Sequence, residues 1–380
     1  MTRMREAAAV RSTCAALLAL AERDELAHFI LNPACLEPTA TYVAGVIRQN
    51  YPTLQIPHHA RWRHFAAGGV DRWRTLAANV APERRPRIRT ELCIVSVLLD
   101  AGAGPAWCFH DEATGQRLNR SEGLGVASLR AFQAGLFADA GTMQVDAAAL
   151  AAMDPAALGA AFQVTPDNPL TGLEGRAALL RSLGEAIPAH PEVFAGGRLG
   201  GLYDTARITG PVRADAILSL LLQGLGGIWP SRPLGDVWPH PQAPGGRVPF
   251  HKLSQWLAYS LIEVFEDAGI PVDAIDALTG LPEYRNGGLL LDMGLLQPRD
   301  PGLTARTLDP GDEPVVEWRA LTVALLDRLA PLIRAELGQP DMTLSRILEG
   351  GTWAAGRAIA ATKRPGGAPP LTITSDGTVF

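Results

Sequence analysis

A chain of 380 residues, 47% hydrophobic and 19% charged, can bury a large core, which excludes a disordered or low-complexity protein. Its formal net charge of −5, with no basic block, argues against a nucleic-acid backbone as partner. Cys14, Cys35, Cys93 and Cys108 form no CxxC pair and read as reduced thiols of a cytoplasmic protein.

The N-terminal stretch MTRMREAAAVRSTCAALLALAERDEL superficially suggests a secretory leader. Arg11 interrupts the apolar run and acids follow at once, so the stretch reads as an amphipathic helix. No apolar run approaches the ~20 residues that span a bilayer, and no membrane partner is expected. Helical periodicity marks 4–31, 38–49, 87–100, 124–139, 146–152, 172–187, 211–226, 249–268, 315–337 and 343–361. Strand-like runs are scarce before Leu371–Thr374 and Thr378–Phe380, which flank Ser375-Asp376-Gly377 as a hairpin. The fold class expected is mainly α: a single helical domain over 1–380 with a small C-terminal β-hairpin. A subdivision would set 1–120 with 210–380 around the site and leave 121–209 as a helical insertion.

Residues 56–72, IPHHARWRHFAAGGVDR, are dense in chemistry-bearing side chains. His58, His59 and His64 suit a metal if partners come from elsewhere. Arg61, Arg63 and Arg72 suit an anion, with Trp62 as a stacking surface. A structural loop of packed Arg and Trp is the third reading. In RTELCIVSVLLDAGAGPAWCFHD, Asp100 ends a buried run and opens onto small residues, with Trp107 and His110 just beyond. It is either a turn cap or a functional acid. GGIWPSRPLGDVWPHP offers Trp229, Arg232, Asp236, Trp238 and His240, a set that fits a pocket rim or a loop packed on the core. Walker-type GxxxxGK[ST], HExxH and GxSxG patterns are absent, and Gly224, Gly226 and Gly227 read as a turn.

The stretch 248–296 organises the rest. Pro249 suits the first turn of a helix that Gly269 and Pro271 end. Leu253, Leu257, Leu261, Val264, Phe265 and Ala268 form its buried stripe. On the other side, Lys252, Gln255, Trp256, Tyr259 and Glu263 look like a pocket wall, with His251 just before them. Asp273 is a plausible N-cap for a short helix. The turn Thr279–Pro282 then presents Glu283, Tyr284 and Arg285, giving a helix–hairpin–helix shape with polar residues at the hairpin. Glu283 and Arg285 as solvated turn residues is the competing reading.

Long segments, among them NYPTLQIPHHARWRHFAAGGVDRW, GGIWPSRPLGDVWPHP, PFHKLSQWLAYSLIE and TGLPEYRNGGLLLDMGLL, resemble the bacterial and fungal uracil-catabolism protein family, the uracil-regulated-gene group. The resemblance covers almost the whole chain and implies a pathway that degrades uracil through its nucleotide to urea. Lys252-x-x-Gln255 followed by Glu283-Tyr284-Arg285 is also similar to the queuosine-nucleotide salvage glycosidases. Those helical proteins are related to helix–hairpin–helix DNA glycosylases and cleave an N-ribosidic bond with a carboxylate. They carry Asp where this chain has Glu283.

These resemblances imply an N-glycoside hydrolase acting on a phosphorylated ribosyl compound, ureido-ribose 5-phosphate, without a metal or redox cofactor. Glu283 faces the oxocarbenium-like centre, with Asp100 or Asp292 orienting water. The remaining substrate-binding candidates are Arg61, Arg63 and Lys252 for phosphate, Trp229, Trp256 and Tyr259 as walls, and His64, Trp107, Asp236, His251, Gln255 and Arg285. Two alternatives stay open: a metal-dependent amidohydrolase using His58, His59 and His64, and a non-catalytic pathway partner.

Overall fold

The computed structural model describes residues 2–139, 141–208, 210–229 and 234–374. The fold is mainly α-helical. Expected helices appear at Leu36–Asn50, Arg85–Leu98, Arg120–Gln133, Ala147–Ala151, Leu173–Ala189, Ala214–Leu225, Lys252–Asp267 and Glu313–Leu337. Ala- and Leu-rich segments hold their helical preference because each buries an apolar stripe. The described strands are two or three residues long and pair two by two.

Several boundaries differ from the periodic pattern, each for a local reason. The helix expected over 4–31 is Ala7–Ala21: Asp24 adopts φ +60°, and Phe29–Leu31 then pairs antiparallel with Leu296–Pro298. Pro249 lies in a strand, Arg247–Pro249, paired with Val237–Pro239. The following helix starts at Lys252, where the Asp236 carboxylate accepts the Lys252 N–H at 3.0 Å. Asp273 caps no helix but belongs to Val272–Asp273, which runs parallel to Val212–Arg213; the short helix after it is a 3-10 turn, Ile275–Ala277. Residues 268–283 therefore contain a strand and a 3-10 turn rather than one tight hairpin, and the helix–hairpin–helix likeness rests on sequence alone. The run 343–361 is divided into Leu344–Ile347, a π-helical turn Leu348–Thr352 and Trp353–Lys363. Thr372–Ile373 pairs parallel with Thr307–Leu308; the rest of the expected C-terminal hairpin, 375–380, lies outside the described residues.

Beside the expectation of one unit with 121–209 inserted, packing divides the chain into two compact units. The first comprises residues up to 59, 236–255 and 274–374; the second comprises 60–235 and 256–273. The chain crosses from first to second inside the helix Lys252–Asp267. In the first unit, Glu313–Leu337 is the central helix, packed by Ala7–Ala21 and Leu36–Asn50. Tyr284–Asp292 crosses Trp353–Lys363 so closely that a Cβ on Gly356 would stand 2.1 Å from the Arg285 carbonyl oxygen, so only glycine fits there. In the second unit, Arg85–Leu98 packs on Arg120–Gln133, and the hairpin Phe109–Asp111/Gln116–Leu118 is tied down by ion pairs from Arg72 and Arg130 to Asp111.

Among the described residues no helix is long and apolar enough to cross a membrane.

Candidate functional site

In the first unit the start of the Lys252–Asp267 helix is fixed by Asp236. Its two oxygens take a bidentate pair of bonds from Arg319, both 2.8 Å, and Trp238 Nε1 adds a third at 2.6 Å. Burial alone would raise the Asp236 pKa, but the Arg319 charge and these bonds hold it well below the usual carboxylate range. Its charge is therefore committed to building the helix start. His251 precedes that start at φ +50°, with Nε2 2.7 Å from the Met4 carbonyl oxygen, so Nε2–H is the donor. Burial pushes its pKa down and keeps the ring neutral. One turn on, Gln255 spends its amide on Thr279: Nε2 donates to Oγ1 at 2.5 Å, and Oε1 accepts from the Thr279 N–H at 2.9 Å. The bracket ties helix to loop.

That loop delivers Glu283 as the N-cap of Tyr284–Asp292, with extended φ −112° and ψ 164°. Pro282 stands before the cap rather than inside the helix. The Glu283 oxygens accept the backbone N–H groups of Arg285 (2.8 Å) and Asn286 (2.5 Å). The residue is 8% exposed. Burial raises its pKa, while those two N–H groups and the charges of Lys252 and His59 work in the opposite direction. Lys252, half-buried, is one of only two lysines in a chain with 34 Lys and Arg. His59 is 7% exposed; its Nδ1 lies 2.7 Å from Glu349 Oε2, and its ring is 6.1 Å from that of Trp353. His58 Nδ1 bonds Ser345 Oγ at 2.6 Å. Asn286, fully buried, donates to the Leu281 carbonyl, and among the described residues its Oδ1 has no hydrogen-bond partner. Arg285 donates to the Gly367 carbonyl and lies 4.7 Å over the Tyr284 ring. Asp292 is paired through both oxygens with Arg364 at 2.8 and 2.5 Å. The first unit thus assembles Glu283, Lys252, His59 and Glu349, and sets Asp236, Gln255 and Asp292 to structural work.

The second unit holds the other candidates. Arg61 is 0% exposed. Its Nε donates to Ser96 Oγ at 2.7 Å, Nη1 pairs with Asp100, and its guanidinium lies 5.5 Å from the Trp256 ring centre. Asp100 also accepts from Ser121 Oγ at 3.1 Å, so both of its oxygens are engaged in the Arg61 network although its side chain is only part-buried. Gly125 makes the network possible, since a Cβ there would meet the His64 Cβ at 2.8 Å. His64 sits edge-on to Trp256 at 5.6 Å. Arg63 pairs with Glu263 at 2.6 Å and is the more exposed partner. Trp107 is a core side chain, its N–H on the Phe162 carbonyl at 3.0 Å. Trp229 and Tyr259 are buried. Arg232 lies outside the described residues.

Among the described residues no three His, Cys, Asp or Glu side chains gather as a metal-ion site. A family model described as "Protein of unknown function (DUF1688)" matches residues 3–380. The chain belongs to this family. Protein urg3 of Schizosaccharomyces pombe is 41% identical over 397 aligned positions, covering 98% of this chain and 96% of the relative. Uracil catabolism protein 4 of Lachancea kluyveri is 36% identical over 405 positions, covering 93% and 92%. The resemblance expected from the sequence segments therefore holds over nearly the full length of this DUF1688 chain.

Sequence reasoning passed over Glu349 and Asn286. Glu349 sits in a periodic run that reads as an ordinary helix. The available signal was Glu349-Gly350-Gly351-Thr352, two glycines inside a helical pattern. They mark a close approach: Cβ atoms there would meet Ile56 at 3.0 Å and Val43 at 2.8 Å. The π-helical turn at this point is a feature that clusters at functional sites.

Proposed function

We propose that this protein acts in uracil catabolism by hydrolysing the N-ribosidic bond of ureido-ribose 5-phosphate to urea and ribose 5-phosphate. The relatives' family supports the pathway. The observation that carries the reaction is Glu283: a buried carboxylate capped by two N–H groups, its charge opposed by burial and favoured by Lys252 and His59.

When the C1′–N bond breaks, its electron pair leaves with nitrogen and positive charge gathers on C1′ and the ring oxygen. A carboxylate held in a low-dielectric setting gains most from a cation that appears only in the transition state. The two backbone donors favour the ionised form against the opposing effect of burial and hold both oxygens in place, so little reorganisation is needed as charge develops. His59, oriented by Glu349, is the proton-carrying group: its Nε2 gives a proton to the leaving nitrogen and regains one from the water whose hydroxyl adds to C1′. Lys252 supplies a cation for the 5′-phosphate. Water is the only co-reactant.

The test is mass spectrometry of purified protein incubated with ureido-ribose 5-phosphate. Urea and ribose 5-phosphate should appear in equal amounts, with one oxygen from ¹⁸O-water in the sugar product after correction for exchange of the free aldehyde. No turnover of this compound, with cleavage of an amide bond in an earlier ring-opened ribotide, would sink the reading.

A further inference from the structure

A cleft of about 770 Å³ in the second unit is lined by Arg74, Arg85, Arg87, Arg89 and Arg207, with Trp73 among its walls. No residue of the Glu283 cluster contributes to it. Three acids, Asp71, Glu83 and Asp267, share the lining, and the carboxylates are unevenly committed. Asp267 takes Arg89, and Asp204 takes Arg87 through two bonds of 2.6 and 2.8 Å. Asp71 spends an oxygen on the backbone N–H of Arg74 as a helix cap. Arg85 donates its Nε to a neutral acceptor, the Val80 carbonyl. Arg74 and Arg207 are exposed and make no ion pair among the described residues; Arg207 lies 4.9 Å over the Tyr203 ring.

Arg89 is the built part of this wall. It is only 6% exposed, held between aromatic rings at 4.1 Å (Trp62) and 5.4 Å (Trp73), and its Nε has no hydrogen-bond partner among the described residues. Fixing a guanidinium by stacking lowers the entropy it loses on binding an anion. In a chain whose net charge is −5, five arginines against three lining acids leave this wall net positive. The cleft volume falls in the range of small-ligand sites, and the interleaved acids disfavour a continuous nucleic-acid backbone.

We infer that this cleft is a binding site for a phosphate monoester of a small molecule, with Arg74 and Arg207 closing on the phosphate beside the stacked Arg89. The inference does not rest on the reaction assigned to Glu283.

The experiment is isothermal titration of the full chain at low ionic strength with inorganic phosphate, ribose 5-phosphate, uridine 5′-monophosphate and uridine. Both monoesters should bind, more weakly as salt rises, and uridine should not. Equal affinity for inorganic phosphate would show that the phosphate alone is read and would remove the claim on an ester; tighter binding of a monoester supports it and names the preferred carrier. The Arg74→Gln/Arg207→Gln double variant should bind about tenfold or more weakly, the scale of one or two charge-assisted bonds. In a Lys252→Met background, which removes the cation assigned to the 5′-phosphate beside Glu283, monoester binding should persist and should still weaken when Arg74 and Arg207 are also replaced. Absence of phosphate binding at millimolar concentration, or binding lost in Lys252→Met and kept in the double variant, overturns the site.

Discussion

His59 Nδ1 lies 2.7 Å from Oε2 of Glu349, a carboxylate carried on the π-helical turn Leu348–Thr352. A carboxylate accepting from Nδ1–H fixes the tautomer and aims Nε2 as the proton-exchanging atom. The widened turn places Glu349 there; an unbroken α-helix would carry its carboxylate to a different angular position.

Glu349→Gln keeps the length of the side chain and a hydrogen bond but removes the charge behind His59. Turnover of ureido-ribose 5-phosphate should fall roughly 10–100-fold, the scale of a lost orienting partner. KM should change little, and thermal unfolding should stay within a few degrees of the parent. Steady-state kinetics beside a melting curve check this; unchanged kcat would leave the pair a purely structural one.

Asp236 yields the opposite expectation. Its bidentate bond to Arg319 is buried, and removing one partner strands the other's charge. Asp236→Asn should cost about 3 kcal/mol of stability, in the range for a broken buried pair. The soluble folded fraction should retain measurable turnover, because the side chain positions Lys252 through the helix start rather than meeting substrate. Urea denaturation with activity of the folded fraction separates the two effects.

Asp111 supplies a pH dependence. Burial would raise its pKa, but bonds from Arg130, Arg72 and Thr114 outweigh that and hold it at about 2. An unfolded Asp titrates near ~3.9, so the native state favours the ionised form. This contribution is fully present above pH ~4 and is lost as pH falls through about 2. Asp111→Asn should therefore be less stable than the parent at pH 7, and the gap should narrow steadily on acidification below pH ~4. Paired denaturation curves between pH 2 and 7 check it; a constant gap would show that packing, not charge, ties down the hairpin.

The sequence made the helices legible because burial imposes a 3.6-residue repeat on each, as in Lys252–Asp267 and Glu313–Leu337. It also drew attention to His59, Lys252 and Glu283, which the first unit gathers around one carboxylate. Pairing was not legible. His59 and Glu349 are separated by 290 positions, and Asp236 and Arg319 by 83, distances over which no periodicity carries information. Asp100, Asp236 and Asp292 looked available for chemistry because their arginine partners lie far away in the chain. The arginine cleft was hidden for the same reason, its lining drawn from three separate stretches between Asp71 and Ala268.

Glu283 carries the sharpest test. Glu283→Gln removes its charge while keeping its size, and Gln Oε1 still accepts one of the two N–H bonds at the helix start. If charge development at the ribose is the difficult step, kcat should fall by roughly two orders of magnitude or more, the scale of a lost electrostatic donor or acceptor. Substrate affinity should change much less, because the cation exists only near the transition state. Stability adds a second reading with a definite sign. Burial places the folded pKa above the ordinary 4.5, so the native state binds this proton more tightly than the unfolded chain. The ionised side chain then costs stability that is absent below the unfolded pKa and complete once pH passes the folded value. Relative to the parent, Glu283→Gln should gain stability as pH rises from about 4 to 7, offset by a pH-independent loss of about 1 kcal/mol from the weaker cap. A folded variant with near-parental kcat would remove Glu283 from the reaction. A stability difference that moves the other way with pH would show that its cap and Lys252 dominate over burial.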